Sequence, residues 1–349
     1  MPTPITDLSA ENRDKRTLEV QVSGLRAKLK EATERAAHWH HEFEAKQADF
    51  ESLAAIREPV QRTPIVPARQ DGSERQGVVL VNWSDWHVGE VVDKRKVRGL
   101  NSYSPEIARK RARQCAESTM KLWRYIRSSY NVDSMVLFLG GDFISGYLHE
   151  ELAQTNAMAP VEETRYAKEL LIDALDHVVA EKTLKHLRIV GMRGNHGRTS
   201  RKMQFKNDYE TSYESWLYWD LQDRYDDDQR VLFDIPRGDV HIVPVASKFN
   251  LRLYHGHQIK YSDGVGGLTI PLNKWQAKQD QIVRADFNLM GHYHMWSMPN
   301  SRTILSGSLK GWDEYAASHG FAYQEPLQTF ALIDTKRRML AQNMPIFCT

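Results

Sequence analysis

Two cysteines, Cys115 and Cys348, are all that 349 residues contain, too few for a disulfide framework and suited to a reducing compartment. No stretch approaches the roughly 18 apolar residues that a membrane span needs, and the opening MPTPITDLSAENRDK lacks an apolar run behind a basic start. Neither a membrane span nor a secretory leader is expected, and a cytoplasmic location is. Charge of one sign is lacking too. The 47 Lys and Arg against 45 Asp and Glu leave a formal +2, so any basic footprint for a polyanionic partner has to be local. Between Glu11 and Glu58 there is no proline and no glycine but Gly24.

That last scarcity marks a long helix. Leu18, Val22, Leu25, Leu29, Ala32, Ala36, Trp39, Phe43, Phe50 and Leu53 recur at the 3.5-residue period with only Lys46 out of place, which predicts a coiled coil over residues 1–58 and self-association into a homo-oligomer. The plainer alternative is one amphipathic helix lying on its own chain. Pro59, Pro64 and Pro67 then end helical structure and predict an extended linker over 59–76. The globular domain is expected at 77–349. Its first half alternates strands (77–83, 134–140, 186–192) with helices (about 105–128 and 161–182), the pattern of a parallel α/β sheet. Its second half has closer-spaced apolar runs and one clear helix at 271–284, which predicts a mixed sheet.

Fourteen histidines are many, and several fall where chemistry gathers in an open α/β sheet, just past the carboxyl ends of strands. The predicted strands run into Asp85-Trp86-His87, Gly141-Asp142, Gly194-Asn195-His196, His255-Gly256-His257 and Gly291-His292-Tyr293-His294. Carboxylate, carboxamide and imidazole donors without thiolate suit Mn²⁺, Fe or Zn²⁺ in a catalytic site rather than a structural zinc. The remaining histidines, among them His38, His177 and His319, read as surface or satisfied residues. His149, in GYLHEEL, reads as a loop residue or a substrate contact. The aromatic run YETSYESWLYWDL at 209–221 reads as a helix packing face rather than a base-stacking platform.

In this order the set D-x-H, G-D, G-N-H, H-G-H and G-H-x-H resembles the calcineurin-like metallophosphoesterase superfamily, over about residues 77–310. The surroundings SDWHVGE, GDFISGYLHEE and GSLKGWDEYA look most like its bacteriophage and prophage members, which would place the protein in a host cytoplasm. The resemblance implies an αββα sandwich of four layers, with two mixed sheets flanked by helices. It implies two divalent metal ions, Mn²⁺ foremost: one held by Asp85, His87, Asp142 and His294, the other by Asp142, Asn195, His255 and His292, with Asp142 as bridge. A hydroxide between the metals would attack phosphorus, and His196 would stabilise the transition state or protonate the leaving group. His255 is preferred over His257 as ligand because it ends its strand, leaving His257 beside the ligands or facing substrate. One position departs from the pattern: Gly197 stands where the family has an acidic residue after G-N-H, and nearby Arg198 could instead clamp phosphate.

Basic residues flank two of the motifs, Lys94 to Arg98 after the first and Arg193, Arg198, Arg201, Lys202 and Lys206 around the third. Such cations suit a phosphodiester backbone, so the expected activity is a nuclease-type phosphodiesterase, on DNA ahead of RNA. The alternatives are a phosphomonoesterase acting on nucleotide or phosphoprotein, and a non-catalytic coiled-coil scaffold.

Overall fold

Strand β1 (Gly77–Trp83) is apolar at nearly every position because both of its faces are covered. Val79, Val81 and Trp83 pack towards helices α1 (Pro105–Arg127), α3 (Pro160–Val179) and α4 (Tyr213–Tyr225), whereas Val78 and Leu80 face a second sheet. The same division runs through β2 (Ser134–Leu139) and β3 (His186–Gly191), where Leu137 and Ile189 join the helical side and Val136 and Val190 the other. The computed structural model describes residues 19, 22–26, 28–35, 37–38, 40, 76–200, 202–204, 206–246, 249–261 and 267–349.

The chain divides into two units, Met1–Arg62 and Thr63–Thr349. In the first, the described residues between Glu19 and His40 are helical, and Val22, Leu25 and Leu29 of the heptad seam are 44%, 65% and 68% exposed. Leu18, Ala36, Trp39, Phe43, Lys46, Phe50, Leu53 and the proline stretch 59–75 lie outside the described residues.

The second unit holds two mixed sheets with flanking helices, the architecture the resemblance implies. One sheet has the order β11-β10-β1-β2-β3-β4, with β4 (Val231–Asp234), β10 (Leu327–Asp334) and β11 (Met339–Phe347) completing it. Strands β1 to β4 are parallel and joined through α1, α3 and α4, while β10 and β11 return antiparallel. The other sheet has the order β5-β6-β7-β9-β8, from β5 (His241–Ala246), β6 (Phe249–Leu253), β7 (Phe287–Met290), β8 (Ser297–Asn300) and β9 (Thr303–Leu305). Within it β6, β7 and β9 run parallel. Helix α5 (Thr269–Ile282) covers its far side through Leu272, against Tyr254, Met290 and Leu305. Short α2 (Leu152–Thr155) and α6 (Glu314–Ser318) lie in connecting segments.

Helix α1 starts where Pro105 follows Ser104, whose hydroxyl caps the Ile107 N–H, and it buries a stripe of small residues, Ala108, Ala112, Cys115 and Ala116, that leads to Met120 and Trp123. Both cysteines are buried as free thiols. One element starts later than in the sequence reading, and two strands are absent from it. Helix α4 begins only at Tyr213, because Ser212 caps the Glu214 N–H and the preceding residues form turns. Strands β8 and β11 carry no alternating pattern, since each lies at a sheet edge and is half exposed on both faces. No helix among the described residues is long and apolar enough to cross a membrane.

Candidate metal centre

Five parallel strands from the two sheets end at one place. Asp85 and His87 follow β1, Asp142 follows β2, Asn195 and His196 follow β3, His255 follows β6, and His292 and His294 follow β7. Backbone bonds lock the turns together: the Asp85 N–H donates to the Gly141 carbonyl (2.9 Å), His87 N–H to the Asp142 carbonyl (3.0 Å) and Gly291 N–H to the His255 carbonyl (2.8 Å). The carboxylates take part as well. Asp142 Oδ1 accepts from the His196 N–H at 2.8 Å, and Asp85 Oδ2 accepts from the His292 N–H at 3.0 Å.

The fit is tight enough to dictate residue type. A Cβ on Gly194 would stand 2.0 Å from Asp142 Oδ1, and one on Gly291 2.4 Å from Asp85 Oδ2, so the glycines of G-N-H and G-H-x-H are steric requirements. Seven non-glycine residues among those described have positive φ, and five of them are Asp85 (56°), His87 (48°), Asp142 (55°), His292 (71°) and His294 (54°). Left-handed backbone costs about 1 kcal/mol or more per residue and persists where the surroundings over-determine it. Here it aims donor atoms inward.

Two groups of donors result, each with its atoms within 4.8 Å of one another: Asp85, His87 and His294, and Asp142, His255 and His292. In the first, His87 Nε2 is 3.1 Å from His294 Nε2, which is itself 3.4 Å from Asp85 Oδ1. In the second, His255 donates Nδ1–H to the Gly140 carbonyl (2.7 Å), which turns Nε2 to within 3.0 Å of Asp142 Oδ2. His255, rather than His257, is the imidazole grouped with Asp142. The His257 ring lies 5.6 Å from that of His255 and 6.3 Å from that of His292.

Burial and crowding set the protonation. Burial opposes charge on His255, but the Asp142 carboxylate raises it to about 10, and His255 with His196 in turn holds the Asp142 carboxyl well below the usual range against its own desolvation. His87 is pushed well below its ordinary value by burial and by the Lys310 charge, His292 by burial and His255, and His257 by the same two causes to about 3. Of the candidate donors, His87 and His292 are therefore neutral and offer lone pairs, the state a cation requires, whereas His255 carries a proton towards Asp142 that a cation there would displace. The donor set passes a second test of fit. Asn195 Oδ1 and His87 Nδ1 are buried with no hydrogen-bond partner, and orphaned polar atoms are rare where nothing is to be bound.

His196 sits against this cluster, its ring 4.6 Å from that of His87 and 6.4 Å from that of exposed His149. Its Nδ1 donates to the Ser145 carbonyl at 2.7 Å, leaving Nε2 as the working atom. The Ser145–Gly146 turn is fixed in its turn by Glu163 of α3, fully buried, whose Oε2 accepts the Gly146 N–H (2.7 Å), and by Asn156, which donates to the Gly146 carbonyl (3.0 Å). The departure at Gly197 also has a physical reason. A Cβ there would meet Glu214 Cγ at 2.7 Å, because Glu214 of α4 fills that space. Its two oxygens accept the Phe143 and Gly194 N–H groups, each at 2.7 Å, so one carboxyl joins the turns of Asp142 and Asn195. Burial and the Asp142 charge lift this carboxyl to about 7.

One expected substrate contact is taken up within the protein. Arg193 is 7% exposed, and its guanidinium is committed to Asp208 (2.9 Å), the Pro236 and Arg237 carbonyls (both 2.9 Å) and the Tyr209 ring, so it holds loops together rather than meeting substrate. Arg198 stays beside the centre, half-buried, with donors on the Asn195 and Ser200 carbonyls. The sequence reading missed Glu214, Glu163 and the buried Lys310, which pairs with Glu90 (2.9 Å) and Asp313 (2.5 Å). Nothing in a single sequence separates such residues from the solvated faces of their helices and loops.

No family model matches this chain, and no curated protein does. Among solved structures, a Thermus thermophilus sulfate thiohydrolase, SoxB, is similar at 11% identity and a TM-score of 0.31, covering 79% of this chain and 58% of its own. A Staphylococcus aureus protein described as a 5'-nucleotidase is similar at 9% identity and a TM-score of 0.32, covering 78% and 55%. The chain thus spans less than two thirds of the length of either.

Proposed function

We propose that this protein is a two-metal phosphoesterase of the calcineurin-like kind that hydrolyses phosphodiesters, with nucleic acid as substrate and DNA ahead of RNA. The observation that supports it is the pair of donor groups, Asp85/His87/His294 and Asp142/His255/His292, gathered on five strand ends beside the orphaned Asn195 Oδ1. Asp85, His87, Asp142 and His294 would hold one divalent cation, and Asp142, Asn195, His255 and His292 the other; oxygen and imidazole donors suit Mn²⁺, with Fe and Zn²⁺ as alternatives. Such a pair of cations supplies Lewis acidity towards the ester and hydroxide near neutral pH.

The chain's own residues supply orientation and protons. The Gly140 carbonyl fixes the His255 ring, and the Ser145 carbonyl fixes His196 with Nε2 towards a bound ester. Burial keeps free His196 neutral. A phosphate placed beside it raises its affinity for a proton, so Nε2 can hold one and pass it to the leaving oxygen. Arg198, on the turn after Asn195, adds a cation next to that phosphate.

The test is turnover. The full chain loaded with Mn²⁺ is expected to cleave bis(p-nitrophenyl) phosphate, and Asp142→Ala to abolish this. Cleavage of p-nitrophenyl phosphate alone would replace the diester reading with the monoesterase one, and no cleavage of either would leave the scaffold.

A further inference from the structure

Of the two basic stretches beside the motifs, the one around Gly194 loses Arg193, whose guanidinium is buried in ion pairs, and keeps Arg198 beside the centre. The other keeps its charge. Arg95 is tied to Asp93, but Lys94, Lys96 and Arg98 are exposed and make no ion pair among the described residues. This loop does not stand alone. The Asp93 N–H donates to the Glu314 carboxylate (2.8 Å), Tyr323 Oη to the Leu100 carbonyl (3.4 Å), and Asn101 Nδ2 to the Lys310 and Trp312 carbonyls (3.0 and 2.7 Å).

The segment it packs against, residues 308–324, carries exposed rings. Tyr315 is 63% exposed, Phe321 49% and Tyr323 45%. Tyr315 and Phe321 lie edge to face at 6.1 Å, and Tyr323 stands 6.0 Å from Trp312. Both ends of the segment are pinned to the metal-ligand turns: Ser308 Oγ donates to the Asp85 carbonyl (2.7 Å), and Gln324 Oε1 accepts the N–H of Trp296, two residues past His294. Exposed cations and a cluster of partly exposed rings, in which His319 lies 4.1 Å from Tyr315, therefore adjoin each other beside the candidate centre.

We infer that the Lys94–Arg98 loop and the Tyr315–Tyr323 segment form a platform for single-stranded nucleic acid, phosphates on the cations and unstacked bases on the rings, that feeds the strand to the centre. The charge favours a polyanion, and exposed rings stack bases that a duplex keeps hidden. The inference depends on the phosphoesterase reading only for cleavage. It is a substrate surface that the motifs do not encode.

Binding of fluorescein-labelled oligo(dT)₂₀ to the full chain in EDTA tests it apart from turnover. The wild type is expected to bind with an affinity that falls steeply with salt. The triple variant Lys94→Ala/Lys96→Ala/Arg98→Ala should lower the slope of log affinity against log salt by about 2, and Tyr315→Ala or Phe321→Ala should each weaken binding by ~10-fold. Lys336→Ala, in the β10–β11 turn at the opposite end of the sheet, should change nothing. A duplex should bind without sensitivity to the rings. Oligonucleotide binding unaltered by either set, or capture by phosphatidylserine vesicles with no oligonucleotide binding, would overturn the platform. Failure of the wild type to hydrolyse either chromogenic ester would sink the phosphoesterase reading and leave the binding result standing.

Discussion

Glu214 offers the sharpest test of how the centre is built, because its oxygens bond backbone N–H groups and so join two of the turns that carry the candidate metal donors. Replacing it with Ala leaves the Phe143 and Gly194 N–H groups without acceptors inside the protein. A buried donor left unmade costs about 1–3 kcal/mol, which sets the loss at about 2–6 kcal/mol. Removing a fully buried carboxyl that Asp142 crowds offsets part of this, so the lower half of that range is expected. Glu214→Gln keeps one acceptor oxygen and turns an amide NH₂ towards the other N–H, so it should lose about half as much. Urea denaturation of the metal-free chain reads these values, and Mn²⁺ titration reads their consequence: outer partners of metal ligands typically contribute 10–100-fold in affinity. Wild-type stability and wild-type Mn²⁺ affinity in Glu214→Ala would refute the argument that this carboxyl positions Asp142 and Asn195.

Three further outcomes follow from the same geometry. Gly197→Asp, which supplies the acidic residue that the resemblance leads one to expect, should destabilise by about 1–3 kcal/mol through the clash with Glu214 Cγ, and the loss should shrink in a Glu214→Ala background, as a double-mutant cycle would show. Glu163 is lifted by burial from 4.5 to about 7, so the native state keeps its proton while the unfolded chain releases it. Its contribution is therefore present in full below the unfolded value and lost as pH rises through about 7. The size is about 3 kcal/mol, and metal-free Glu163→Gln should show a correspondingly flatter decline of stability between pH 4.5 and 7; an unchanged pH profile would contradict the assignment. Light scattering of the full chain should give a dimer that Leu25→Asp/Leu29→Asp converts to a monomer, since both side chains are exposed in the single chain; a wild-type monomer would remove the seam.

Much of the centre was legible because its chemistry sits in turns with little freedom. The glycines before Asp142, Asn195 and His292 and the strands before them are local signals, and the structure brings these residues together from two sheets. The α/β order of the first half was legible for the same reason: β1, β2 and β3 are buried on both faces and read as continuous apolar runs. What the sequence hid lies at edges or acts across long separations. β11 is half exposed and has no period, and its role is to close the sheet beside β10. Glu163 and Glu214 lie near the starts of helices, where a carboxylate is ordinarily solvated, and only the fold shows them buried against backbone N–H groups from other segments. Arg193 illustrates the converse. Its place beside G-N-H suggested a substrate contact, whereas the loops of Asp208 and Pro236, distant in sequence, claim its guanidinium.

The central claim is that two cations are held here, and anomalous scattering at the manganese edge from crystals of the Mn²⁺-loaded chain tests it most directly. Two peaks are expected, one among Asp85, His87 and His294 and one among Asp142, Asn195, His255 and His292, both absent from Asp142→Ala crystals. A crystal of the loaded wild type with no peak at either group would contradict the account.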